Sequence, residues 1–337
     1  MKAVAYQKSL AIDHPQALVD VSLEVPSINP HDLLVEIKAV SANPVDTKVR
    51  LREQPAPGHW RILGWDAAGI VREVGPEVRL FKPGDRVWYA GDITRQGTNA
   101  ELHAVDERLA GPMPGLLDFN QAAALPLTGI TAWEMLFDRL GFVPGKKPST
   151  DTLLIIGAAG GVGSIMVQLA RKLTSLTVIA TASRPETQQW VRDLGAHLVI
   201  DHTRPLSEGL QALGIDQVGH VVSLTQTDQH FPEIVKVIAP QGKFGLIDDP
   251  GPLDIMQLKA KSVSLHWELM FTRSKFRTPD MIAQHHILRE LAALVDCGLV
   301  RTTRGEHFGP INAANLKRAH ALLESGKARG KIVLEGF

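Results

Sequence analysis

The sequence predicts an α/β protein in two parts, a mostly antiparallel β domain and a doubly wound parallel sheet, and three observations carry the prediction. The first is the stretch Leu153-Leu154-Ile155-Ile156, which runs into Gly157-Ala158-Ala159-Gly160-Gly161-Val162-Gly163. An unbroken apolar run, entered from the turn formers of Pro148 to Asp151, reads as a strand buried on both faces. The glycines turn the chain, and Val162, Ile165, Met166, Leu169, Ala170 and Leu173 then recur at helical spacing, so one helix face packs on the sheet. The second observation is the strand–helix alternation that continues from Thr152. The third is the segment up to about residue 125, where short Val-, Leu- and Ile-rich runs are punctuated by proline and glycine.

In chain order, Val19 to Val25, Leu33 to Val40, Gly69 to Val74, Asp85 to Tyr89 and Ala100 to Val105 are the strands of the β domain. Pro26, Pro30, Pro83-Gly84 and Gly97 separate them. Asn120 to Leu125 opens a helical pattern that resumes after Pro126 and runs from Thr128 to Leu140. After the glycine stretch come strands at Leu176–Ala180, Leu198–Ile200, Val218–Leu224, Lys243–Ile247 and Ser262–Leu269, with helices at Pro185–Leu194 and Phe231–Ile238 between them. Ala283–Val295 and Asn315–Glu324 read as later helices, and Lys331–Glu335 as a last strand. The expected domains are 1–125, completed by about 271–337, and 126–270.

Composition limits the function classes. The 337 residues balance 36 Lys and Arg against 36 Asp and Glu, so no net field recruits nucleic acid or an anionic membrane. Cys297 is the only cysteine, which rules out an internal disulfide or a cysteine-rich zinc site and suits a reducing compartment. No apolar run has the length of a signal peptide or a membrane span, so the expectation is a soluble, cytoplasmic protein.

The glycine stretch points to a dinucleotide. In the G-x-G-x-x-G frame the three positions are Ala158, Gly160 and Gly163, with Gly157 just ahead. The backbone N–H groups of Gly160, Gly161, Val162 and Gly163 open the helix, where a pyrophosphate binds. An acidic residue at the end of the second strand would hold the ribose diol of NAD. The segment here is Ala180-Thr181-Ala182-Ser183-Arg184-Pro185-Glu186, with no carboxylate where the strand ends. Ser183 and Arg184 instead offer a hydroxyl and a guanidinium to a 2′-phosphate, favouring NADPH. Ser183 also has a structural reading, as cap of the next helix with Glu186 completing a capping box, and Arg184 as a solvated charge.

Several strings carry a resemblance that covers the whole chain: Val40-Ser41-Ala42-Asn43-Pro44-Val45-Asp46-Thr47-Lys48, Leu63-Gly64-Trp65-Asp66-Ala67-Ala68-Gly69, Lys82-Pro83-Gly84-Asp85-Arg86-Val87, Leu125-Pro126-Leu127-Thr128-Gly129-Ile130-Thr131-Ala132 and the glycine loop. Together they resemble the medium-chain dehydrogenase/reductase superfamily, in its quinone oxidoreductase branch, and especially proteins labelled zinc-type alcohol dehydrogenase-like. The resemblance implies a GroES-like β domain, a Rossmann domain, and a homodimer in which Ser262–Leu269 pairs with its twin.

Against the zinc-dependent alcohol dehydrogenases of that superfamily, Asn43 stands where the first zinc cysteine would be. Gly64-Trp65-Asp66 replaces Gly-His-Glu, and Thr128 aligns with a third ligand. An amide, an indole and a hydroxyl do not make a tetrahedral zinc set, and His59, His285 and His286 are isolated, so no metal is expected. Without a Lewis acid, oxidising an alcohol is hard, whereas a quinone or an α,β-unsaturated carbonyl spreads the developing charge by conjugation.

The expected function is therefore NADPH-dependent, zinc-independent hydride transfer to a quinone or enone. The alternatives are a non-catalytic NADPH-binding sensor or structural crystallin-like protein, and a zinc-type alcohol dehydrogenase. By resemblance, Asn43, Asp46 and Trp65 are the catalytic candidates, although Asn43 and Asp46 also read as turn caps. Thr128, Lys331 and an aromatic-like position at His202 are the further cofactor candidates. Leu224 and Ile247 end parallel strands, where backbone groups meet ligands of open α/β sheets. Trp65, the loop Gln54 to Trp60, Trp88, Trp267 and Phe271 are candidates for a flat acceptor slot, and no tyrosine falls on a proton-donor motif.

Overall fold

The buried Thr152–Ile156 strand anchors a sheet of six parallel strands in a computed structural model that describes residues 1–145 and 151–337. Most of the predicted Pro148 to Asp151 turn lies outside the described residues. In space the strands run Leu198–Ile200, Thr177–Thr181, Thr152–Ile156, Val218–Ser223, Ile238–Leu246 and Ser264–Trp267, the doubly wound 3-2-1-4-5-6 order. The right-handed crossovers of such a sheet need helices, supplied by Gly161–Leu173, Pro185–Asp193, Leu206–Gln211 and Thr227–Val237. Leu154, Ile156, Ile179, Val221, Phe231, Ile234 and Phe244 form its fully closed core. This unit is Thr131–Met270.

The other unit comprises Met1–Ile130 and Phe271–Phe337. Its main sheet of seven strands runs Arg304–His307, Lys331–Glu335, Asp32–Ala42, Ala67–Val74, Arg86–Tyr89 and Ala110–Pro112, with Leu102–Asp106 also pairing with Asp32–Ala42. All of its pairings are antiparallel except Arg304–His307 with Lys331–Glu335. A three-stranded sheet of Val19–Ser22, Lys2–Tyr6 and Arg61–Ile62 completes it.

Three local details depart from the sequence expectations. Pro44–Arg52, to which the sequence assigned no element, is a helix. The helical pattern after Pro126 is an α-helix, Pro126–Trp133, that widens into a π-helical turn at Glu134–Arg139. The helix Pro185–Asp193 is capped by Arg184, not Ser183: Thr187 Oγ1 accepts the Arg184 N–H at 3.2 Å, with Pro185 at the first helical position. Among the described residues no helix is long and apolar enough to cross a membrane.

Candidate functional site

In the parallel-sheet unit the glycine stretch divides its labour by geometry. Gly157 takes φ +79° to turn the chain off the strand, and a side chain there would also lie 2.9 Å from Thr225. It performs the tight turn that the first position of the motif, Ala158, does not. Gly163 lets the helix lie against the strand: an added Cβ would be 2.5 Å from the Ala158 backbone. Gly160 is different. It caps the helix in extended conformation, and an added Cβ would meet only Gly157 O, at 3.4 Å. The space beside Gly160 is therefore open, at a helix N-terminus whose first N–H groups have no intrahelical acceptor. Gly161 and Val162 are half-buried there. These residues fit the pyrophosphate of a dinucleotide.

Thr181, at the end of the second strand, is fully buried and accepts the Gly157 N–H at 3.1 Å. No carboxylate follows it, since Ala182 is buried and Ser183 and Arg184 are half-buried. The Arg184 guanidinium pairs with Glu186 at 3.0 Å, so the sequence-level view of a merely solvated charge gives way to an ion pair. His202 bonds Thr181 Oγ1 at 3.2 Å, and its ring stands edge-on to His230 at 6.1 Å. Burial holds both imidazoles below their ordinary value, so both are neutral near pH 7. Leu224 and Ile247 sit half-buried beyond their strands. Leu224 N bonds Ile156 O at 3.1 Å, and Asp248 accepts the Thr227 N–H at 3.0 Å. Gly160, Gly161, Val162, Gly163, Ser183, Arg184, His202, Leu224 and Ile247 thus all follow the C-terminal ends of the parallel strands Thr152–Ile156, Thr177–Thr181, Leu198–Ile200, Val218–Ser223 and Ile238–Leu246. Sequence reasoning missed His230, Thr181 and the Thr227–Asp248 pair, because each is an isolated polar residue brought in by topology alone.

In the β unit, Asn43, Asp46, Asp66 and Lys331 form one buried network. Asn43 is 1% exposed, Asp46 1%, Asp66 0% and Lys331 3%. Lys331 Nζ donates to Ala42 O at 3.0 Å, to Asp66 Oδ2 at 3.0 Å and to Asn43 Oδ1. Asn43 Nδ2 donates to Asp66 Oδ2 at 3.0 Å and Ser41 O at 3.3 Å. Asp66 Oδ1 accepts the Leu127 N–H at 3.0 Å, which ties down the start of helix Pro126–Trp133. Asp46 Oδ2 accepts the Asn43 N–H at 2.6 Å, and the Gly64 N–H also favours the carboxylate. Burial pushes the Asp46 carboxyl up to about 7, against the pull of the Asn43 N–H and Lys331, and the nearby Asp66 charge adds to the rise. Burial also raises Asp66, opposed by Lys331, the Leu127 N–H and the Asn43 amide. Asp66 differs from Asp46 in pairing directly with the Lys331 ammonium, at 3.0 Å.

The remaining candidates of this unit are equally committed. The Trp65 indole is 1% exposed, donates to Asp92 O at 3.2 Å and packs edge-on against Phe271 at 6.2 Å. The Thr128 hydroxyl, 2% exposed, donates to Leu125 O at 3.3 Å. Trp88 is wholly buried, the loop Gln54 to Trp60 is largely exposed, and Trp267 of the other unit is 55% exposed. Within the β unit the tryptophans therefore do not assemble one flat slot. Tyr89 bonds His103 at 3.1 Å, and Tyr6 donates to Glu53 O at 2.9 Å, so both phenols are tied into the fold. Asp66 was overlooked at the sequence level. Its signal was the acid retained in Gly64-Trp65-Asp66, where the family has Gly-His-Glu.

A zinc ion does not suit the residues at the aligned positions. Asn43 Oδ1 is taken by Lys331, the Trp65 nitrogen is a donor, and Thr128 is a hydroxyl engaged with its own backbone. Among the described residues no group of three His, Cys, Asp or Glu is placed to hold a metal.

Two family models match the chain: an alcohol dehydrogenase GroES-like domain over residues 29–123, and a zinc-binding dehydrogenase over 194–334. A zinc-type alcohol dehydrogenase-like protein of Staphylococcus epidermidis is 36% identical over 99% of both chains. The 2-methylene-furan-3-one reductase of Solanum lycopersicum is 30% identical, over 99% of this chain and 79% of its own. A Rhizobium etli CFN 42 structure, provisionally named a zinc-dependent alcohol dehydrogenase, is 58% identical with a TM-score of 0.95, covering 100% of this chain and 98% of that one. Two further structures are each 26% identical with a TM-score of 0.83 over 99% of both chains: a quinone oxidoreductase of Pseudomonas syringae pv. Tomato DC3000, and mycobacterial Rv1454c complexed with NADPH.

Proposed function

Because the chain belongs to the medium-chain dehydrogenase/reductase superfamily of oxidoreductases, we propose that it is an NADPH-dependent reductase of quinones or α,β-unsaturated carbonyls that works without zinc. One observation carries this reading: the three positions that would ligate zinc are occupied by Asn43, Trp65 and Thr128, and each is already bonded within the protein. Lacking a Lewis acid to stabilise an alkoxide, the site suits acceptors whose own conjugation takes up the charge. The names of the Solanum and Pseudomonas relatives, an enone-type reductase and a quinone oxidoreductase, are in keeping with it.

The bound nicotinamide would supply the hydride. The chain's own work is binding and orientation. Gly160, Gly161, Val162 and Gly163 take the pyrophosphate on backbone N–H groups. Ser183 and Arg184 face the adenosine ribose with a hydroxyl and a guanidinium and offer no carboxylate to a free 2′-hydroxyl, which favours the phosphorylated coenzyme. His202 and His230 contribute neutral rings beside it, and the Leu224 and Ile247 backbones close the strand ends. In the β unit, Asn43, Asp66 and Lys331 hold the polypeptide around residues 42–47 and the Leu127 N–H. With both tyrosines committed, the proton that completes reduction comes from solvent. The edge strand Ser264–Trp267, with Trp267 and Leu269 half-exposed, suits pairing with a second copy in a homodimer.

The test is a rate panel with purified protein: quinones and enones with NADPH or NADH, and primary and secondary alcohols with NADP+. Saturable NADPH oxidation by quinones or enones, well above that with NADH, is expected. Tight NADPH binding with no turnover on any acceptor would favour the sensor reading, and turnover confined to alcohols the dehydrogenase one.

A further inference from the structure

Lys331 has an unusual seat for a lysine. Its Nζ is buried and each of its three N–H bonds has an oxygen acceptor: Ala42 O at 3.0 Å, Asp66 Oδ2 at 3.0 Å and Asn43 Oδ1. A cation surrounded by one carboxylate, one amide and one peptide oxygen is held as a metal ion is held, by converging lone pairs. Two of those oxygens come from Asn43, at the position of the family's first zinc cysteine, and from Asp66, next to the position of the zinc histidine. The residues that would grip a metal grip an ammonium instead.

We infer that the ammonium of Lys331 is the built-in cation of this site, and that it fixes Asn43 and Asp66 in the part a metal plays in zinc-dependent relatives. This rests on the metal-independent function proposed above. Lys331 is a positioning residue in this account. Its ammonium pairs with Asp66 at 3.0 Å, Asp66 holds the Leu127 N–H at the start of helix Pro126–Trp133, and the Asn43 amide is locked with Oδ1 toward Lys331 and Nδ2 toward Asp66 and Ser41. A lone carboxylate buried at Asp66 would be costly without it.

The experiment is chemical rescue of Lys331→Ala, which removes three methylenes and the ammonium, the bulk of n-propylammonium. The thermal midpoint of the full-length variant should fall by roughly 10 °C. n-Propylammonium chloride should restore much of it saturably, while tetramethylammonium, which has no N–H, should not. In the charge-neutral variant Asp66→Asn with Lys331→Ala, the amine has no counter-charge, and rescue should vanish. This variant also guards against a single variant too unstable to purify. Elemental analysis of the wild-type protein should find far less than one zinc per chain. The inference fails if Lys331→Met keeps the wild-type midpoint, if both variants respond equally to propylammonium, or if the wild-type chain holds one tightly bound zinc whose removal lowers the midpoint. Since none of these readouts uses turnover, a protein that is rescued yet reduces no quinone or enone would overturn the reductase assignment alone.

Discussion

Asp46→Asn isolates the proton on the buried carboxyl network. Wild-type Asp46 ionises in the unfolded chain near 3.8, the ordinary aspartate value, whereas in the folded protein burial holds it to about 7. A carboxyl raised on folding stabilises most below its unfolded value, and that stabilisation is lost as pH rises through the folded one. At about 1.4 kcal/mol per unit, the full effect is about 4 kcal/mol, of which roughly 2.5 kcal/mol falls between pH 5 and pH 8. The asparagine amide keeps an oxygen for the Asn43 N–H and mimics the neutral acid, so it carries no such pH dependence. Urea unfolding of both proteins at each pH from 5 to 8 gives the difference directly, free of the other titrating groups they share. The variant's advantage over wild type should widen by roughly 2.5 kcal/mol between pH 5 and pH 8, from about 1.7 to about 4 kcal/mol. A difference that stays constant across that range would show Asp46 ionised throughout, and the charge assignment of the network would be wrong.

The three motif glycines should separate folding from binding. Gly163→Ala should destabilise the protein by about 1–3 kcal/mol, because its Cβ would sit 2.5 Å from the Ala158 backbone. Gly160→Ala should leave unfolding within about 0.5 kcal/mol of wild type yet weaken NADPH binding about tenfold or more, measured by fluorescence titration. Arg184→Gln should weaken NADPH, but not NADH, by roughly ten- to a hundredfold. Glu186→Gln, which releases Arg184 from its 3.0 Å ion pair, should tighten NADPH up to about fivefold. Equal effects on the two coenzymes would remove Arg184 from phosphate recognition. Trp267→Asp on the exposed edge strand should shift the protein to a monomer in light scattering, and an unchanged mass would place any self-association elsewhere.

How much of this was legible depends on where each signal comes from. The parallel sheet announced itself because its strands are buried on both faces and its helices carry an apolar stripe, as in Gly161–Leu173. Pro44–Arg52 gave no such stripe: its buried residues include the polar Asp46, Thr47 and Arg50, the last bonded to partners distant in sequence. Arg50 is wholly buried against His320, Glu324 and Leu10 O, so a polar sequence forms a buried helix that hydrophobic periodicity cannot reveal. Arg304–His307, a polar and largely exposed strand, was missed for the opposite reason. At the site, Gly160 and Gly163 were readable because their backbone roles are encoded locally. The roles of Asn43 and Lys331 were not, because a side chain 288 positions away decides which atom of the amide is free.

The most direct measurement is turnover and metal content in one sample. Protein treated with chelator and assayed for zinc by elemental analysis should oxidise NADPH with a quinone or enone at the untreated rate, and added zinc should not raise it. Activity that disappears with the metal and returns in proportion to bound zinc would contradict the account.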